Sequence, residues 1–166
     1  MSGAAAGFER ARVLAARGST REARAALAEL LSHDPRHVGA LLLEGGLLLE
    51  ERDGAAALAL YERAVAIAPE SAEAWNGLAR CLHALGRDVE ALEAGQTALG
   101  LLGRGENFRE TAPVYLTLVW CLRELRRYRE ALRLAEEGLA RTPDAVLAQW
   151  ASTVEEELAA AEKEDC

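Results

Sequence analysis

Residues 75 to 86 read Trp75-Asn76-Gly77-Leu78-Ala79-Arg80-Cys81-Leu82-His83-Ala84-Leu85-Gly86, and Ala91, Gly95, Ala98 and Gly103 follow. Leu82 stands nine residues before Ala91, and the same pairing recurs as Leu14 and Ala23, Leu48 and Ala57, and Leu122 and Ala131. The alanines are 34, 34 and 40 residues apart. A fixed period in this range marks a stacked helix–turn–helix array. With copies starting at Ala4, Val38, Ala72 and Ala112, a single position near the end of each holds Pro35, Pro69, Gly103 and Pro143. Proline lacks an N–H and glycine readily takes φ > 0, so each stops a second helix.

The residue types follow from packing. Small residues belong where two helices cross closely: Ala11, Gly45, Ala79 and the four repeated alanines. Large ones fill the space between crossings: Leu14, Leu48, Trp75, Leu78, Leu82 and Leu122. No single copy buries its own apolar face, so the stack is the folding unit. Two positions depart from the pattern. Arg10 and Glu44 stand where leucine is expected. Arg10 suits a terminal copy with a wet outer side, whereas Glu44 must snorkel, pair with an arginine or mark a shifted helix.

The third copy resembles the tetratricopeptide repeat, whose pattern is W-x2-L-G-x2-Y, then A-x3-F, then P. The second copy supplies Gly45, Leu48, Ala57, Tyr61, Ala64 and Pro69, and the fourth Tyr115, Leu118, Leu122, Ala131 and Pro143. The first is weaker, with Ala11, Leu14, Gly18, Ala23 and Pro35. The resemblance spans residues 4 to 143. It implies an all-α fold: a right-handed α-solenoid of four tandem helix–turn–helix repeats (4–37, 38–71, 72–105 and 112–145) in a single domain. An insertion lies near 103–111, and a C-terminal capping helix is expected over 144–163.

The expected helix pairs are 4–17 with 20–33, 37–50 with 54–67, 71–84 with 88–101, and 110–125 with 128–141. Ser19 or Thr20, Asp53, Ser71 and Asp88 are placed to cap helices, and Asp144 to cap the ninth. That helix seals the last apolar surface with Val146, Leu147, Trp150 and Val154 as its inner stripe. The insertion contains Phe108 flanked by Arg104 and Arg109, and reads either as a longer turn or as a recognition loop.

Composition bounds the function. The 166 residues suffice for a continuous core, and with 51% apolar but only 5% aromatic residues that core is built from leucine and alanine. The net charge of −8 argues against nucleic acid or an anionic membrane surface as the target. Arginine supplies all but one of the 19 basic residues, a bias that points to a GC-rich, bacterial genome. Met1 to Gly7 has no basic start or long apolar run, and Ala40 to Leu49 is too short to span a membrane, so a cytoplasmic protein is expected.

Catalytic and metal signatures are missing from the sequence. Cys81, Cys121 and Cys166 have no metal-ligand spacing. Cys81 and Cys121 share a repeat position, too far apart for a disulfide, and are expected to be buried as small apolar residues. His33, His37 and His83 are scattered, and Gly103-Arg104-Gly105 lacks the lysine and length of a phosphate loop. The expectation is a protein that is not an enzyme and that needs no cofactor or metal.

The resemblance also implies a concave channel lined by the first helix of each repeat. By register its candidate binding residues are Phe8, Arg12, Leu42, Leu43, Leu49, Asn76, Arg80, His83, Leu116, Trp120 and Arg123. An apolar floor carrying arginines suits an extended peptide or amphipathic helix bearing carboxylates. The family's clamp for chaperone C-terminal tails has no match at Phe8, Arg12, Leu43, Glu73 and Gly77, so such a tail is not the expected ligand. A protein or peptide partner is the first reading. Self-assembly into a homo-oligomeric scaffold through Leu42, Leu43 and Leu49 or the end surfaces is the alternative; a further one is that the leucines pack on neighbouring helices or that the ninth helix folds into the channel.

Overall fold

The computed structural model describes residues 3–103 and 111–164, with side chains from residue 5 onward. Among these residues there are nine helices and no strands: α1 (Gly3–Ala16), α2 (Thr20–His33), α3 (Val38–Glu50), α4 (Gly54–Ile67), α5 (Ala72–Ala84), α6 (Asp88–Leu102), α7 (Thr111–Glu124), α8 (Tyr128–Arg141) and α9 (Ala145–Glu164). The bounds fall within two residues of those read from the period. Phe108 with its flanking arginines, and Cys166, lie outside the described residues.

The chain divides into two compact units, Met1–Glu70 and Ser71–Cys166. In the first, α1 packs on α2 and α3 on α4, with α3 also against α1 and α2. Its core joins Ala11, Ala23, Leu27, Leu30, Ala40 and Leu47. In the second, α5 packs on α6, α7 on α6 and α8, and α9 on α8 and α7. Ala79, Ala91, Leu118, Leu122 and Ala131 are buried there, as are Cys81 and Cys121, both free thiols.

The turn inside each repeat has the same backbone closure. The N–H groups of Ser19, Asp53, Arg87 and Arg127 donate to the carbonyls of Leu14, Leu48, Leu82 and Leu122 at 2.8–3.0 Å. Each closure needs a left-handed residue, and these are Gly18, Arg52, Gly86 and Arg126, with φ of 76°, 63°, 72° and 57°. Two repeats use glycine and two accept a strained arginine, at roughly 1–2 kcal/mol for a non-glycine residue in this region. Arg126→Gly is therefore expected to raise stability by about 1 kcal/mol, read as a higher urea midpoint with unchanged slope.

Gly45 sits at a close crossing as expected, and Gly95 and Gly138 mark two more that were not singled out. A Cβ on Gly45 would lie 2.9 Å from the Tyr61 ring, one on Gly95 2.7 Å from Leu118, and one on Gly138 2.7 Å from Leu147 and 2.8 Å from Tyr115. Asp53, Ser71 and Asp144 accept from the N–H of Ala56, Ala74 and Leu147 as expected of caps. Ser19 makes no side-chain cap bond. Asp88 lies inside α6 rather than at its cap, and His37 Nδ1 unexpectedly caps α3 through the Ala40 N–H. Glu44 resolves as a pair: Arg24 of α2 donates to it at 3.0 Å and to Glu51 at 2.7 Å.

Candidate functional site

In the second unit α5 turns Gly77, Ala79, Cys81 and Leu82 inward. Asn76, Arg80 and His83, spaced by four and three, share another face. Asn76 and Arg80 line a depression of about 310 Å³ with Ala72, Glu73, Leu102, Pro113 and Val114. The Asn76 Oδ1 is buried and has no hydrogen-bond partner among the described residues. Arg80 is exposed, and no described carboxylate pairs with it. The hollow thus combines a desolvated acceptor with the Arg80 cation, the Glu73 carboxylate and the apolar side chains of Leu102, Pro113 and Val114.

Farther along the same unit, α9 lies beside α7. The Arg123 guanidinium grips Glu157 with three contacts of 2.6–2.9 Å and also reaches Glu124 at 2.8 Å. The hydrogen bonds to Glu157 are the main reason its pKa is raised above the ordinary arginine value. Arg123 stands 5.6 Å above the Trp150 ring, and Trp150 meets Trp120 edge-on at 6.1 Å. His83 stacks on Trp120 at 6.2 Å. Two residues expected to face a partner, Trp120 and Arg123, are therefore engaged by α9, and Leu116 is half-buried on α7. Leu147 and Val154 form the buried stripe of α9, but Val146, expected to join them, points outward and is 50% exposed.

In the first unit the expected channel residues mostly pack internally. The Phe8 ring tilts against His37 at 4.9 Å and covers Gly39, where a Cβ would come within 2.9 Å of it. Leu43 packs on the core, Arg12 pairs with Glu9 at 3.2 Å, and Leu42 and Leu49 are half-buried. His33 and His37 do not converge: His33 bonds the Glu29 carbonyl and His37 caps α3.

One grouping escaped the sequence reading. His83, Asp88 and Cys121 bring their polar atoms together although they come from α5, α6 and α7. Residues 5 and 38 positions apart form no recognisable spacing, and only the repeat geometry unites them.

Comparison with known proteins agrees with this architecture. Tetratricopeptide repeat family models match residues 8–72 and 48–100. The chain belongs to the tetratricopeptide repeat family, whose fold generally mediates protein–protein interaction. No curated protein matches it significantly. Among solved structures, MamA shares 19% identity over 92% of this chain and 81% of its own, with a TM-score of 0.74. PilF of Pseudomonas aeruginosa shares 19% over 96% and 72%, with a TM-score of 0.79. YrrB, described as a repeat protein with an unusual peptide-binding site, shares 20% over 89% and 74%, with a TM-score of 0.68. At these identities the likeness is one of fold. No described helix is long and apolar enough to cross a membrane.

Proposed function

We propose that this chain is a non-catalytic interaction module that holds a peptide or helix of a protein partner against α5 and the start of α7. The observation that carries the reading is Asn76. A buried carbonyl oxygen without a donor costs about 1–3 kcal/mol, and a ligand N–H placed there recovers it. An extended peptide presents such N–H groups at every residue. Arg80 beside it takes a carboxylate of the ligand and fixes its register. Leu102, Pro113 and Val114 receive an apolar side chain. Trp120, His83 and Arg123 continue the face but are held by α9 and by one another, so their part is to keep the wall rigid.

Selection of a displayed random-peptide library on the immobilised chain tests this reading. Enrichment of peptides sharing a carboxylate beside an apolar residue is expected, with no enrichment on an Asn76→Ala, Arg80→Glu double variant. Equal enrichment on both proteins would overturn it. Self-assembly has one observation in its favour: Leu85 and Val89 at the α5–α6 turn are 41% and 59% exposed. Light scattering is expected to give the monomer mass of 17.8 kDa; a stable dimer would favour the scaffold instead.

A further inference from the structure

Three helices of the second unit bring an imidazole, a carboxylate and a thiol to one point. His83 lies in the last turn of α5, Asp88 opens α6, and Cys121 lies within α7. One ligand atom from each is within 4.8 Å of the other two. His83 Nδ1 and Asp88 Oδ1 lie within hydrogen-bond distance, 2.5 Å apart. Cys121 is fully buried, whereas the side chains of Asp88 and His83 retain 14% and 26% exposure.

Cys121 does not suit the ordinary role of a reactive cysteine. It is fully buried with no access to solvent, so it is not placed to act as a nucleophile. Its repeat equivalent Cys81 is equally buried as a small apolar side chain, and what sets Cys121 apart is the imidazole and carboxylate beside it. A divalent cation engages all three groups at once, since its charge holds thiolate and carboxylate together.

We propose that His83, Asp88 and Cys121 bind one zinc-class divalent ion that ties α5, α6 and α7 together. Imidazole and thiolate donors select zinc or cobalt over calcium or magnesium. The charges sum to zero, +2 against one thiolate and one carboxylate, as a largely buried site requires. Zinc bonds of about 2.0–2.3 Å put tetrahedral donors roughly 3.3–3.8 Å apart. His83 and Asp88 therefore open by about 0.8 Å from their direct hydrogen bond, a small side-chain rotation. Binding releases the Cys121 thiol proton to solvent, and a second proton where the imidazole is protonated. The fourth position faces the partly exposed side of His83 and Asp88 and takes a water. The inference does not depend on peptide binding.

Cobalt(II) titration of the full-length, reduced chain is the test. One equivalent should produce a near-ultraviolet thiolate-to-cobalt charge-transfer band, and zinc should displace it. The band should persist in Cys166→Ser and vanish in Cys121→Ala. Asp88→Asn, a change near the surface that keeps the fold readable, should weaken binding by more than the about 10–100-fold that outer-shell partners of a metal cost. Zinc should raise the melting temperature of the wild type and leave that of Asp88→Asn unchanged. Absence of the band, its survival in Cys121→Ala, or full-strength binding by Asp88→Asn would overturn the assignment.

Discussion

Tyr115→Ala is expected to lower the stability of the chain by about 3–5 kcal/mol, the range for removing a large aromatic side chain from a packed core. Tyr115 is fully buried, and its ring lies on Gly138 where α7 and α8 cross, beside Leu147 of α9. Losing it opens a cavity bordered by three helices, which Leu147 alone cannot fill. The hydroxyl donates to Glu137 at 2.8 Å, and Glu137 also pairs with Arg141 at 3.2 Å. Tyr115→Phe keeps the ring and leaves Glu137, half exposed, to water, so it should cost only about 0.5–1.5 kcal/mol. Burial, then the bond to Glu137, raises the hydroxyl pKa from 10.0 to about 12. The folded state therefore favours the neutral phenol. Its contribution is complete below pH 10 and is lost as pH rises from there through about 12. Urea midpoints measured across this range should fall more steeply for the wild type than for Tyr115→Phe. Equal slopes would mean that the hydroxyl is solvated.

Arg80→Glu is expected to weaken a selected carboxylate-bearing peptide by at least about 100-fold, since it removes a charge-assisted pair and sets like charges against each other. Because Arg80 is exposed and pairs with no described carboxylate, the substitution should leave the unfolding free energy within about 0.5 kcal/mol of wild type. The affinity of the wild type should also fall with added salt, while the residual affinity of the variant should not. Trp120→Ala should behave differently. It strips the contacts to His83 and Trp150, so its first effect is on stability and on the seating of α9. A matched loss of binding and stability in Arg80→Glu would contradict the assigned role.

The fold was legible because the Leu–Ala pairing and the recurring Pro or Gly fix phase as well as period. Asp53, Ser71 and Asp144 then fix helix starts by chemistry that is local in sequence. The face on α5 followed from the same register, which places Asn76 and Arg80 one turn apart. Contacts made between elements were harder to read. That α9 engages Arg123 was available in principle, because Glu157 lies 34 residues on, one full period, so α9 continues the repeat spacing. Phe8 was expected to face a partner, yet Gly39 leaves a gap that only its ring fills. Arg52 and Arg126 hide the left-handed turn that Gly18 and Gly86 announce, because the backbone closure tolerates a strained residue when the Leu48 and Leu122 carbonyls are satisfied. The His83, Asp88 and Cys121 group depends on three helices meeting, which no spacing encodes.

Amide chemical-shift mapping with a selected peptide is the most direct test of the interaction face. Saturating addition to the isotope-labelled chain should move the signals of Asn76, Arg80, Leu102 and Val114, including the Asn76 side-chain amide, and these shifts should disappear in Arg80→Glu. Shifts confined to Leu85 and Val89, or to helices of the first unit, would contradict the account and place the partner elsewhere.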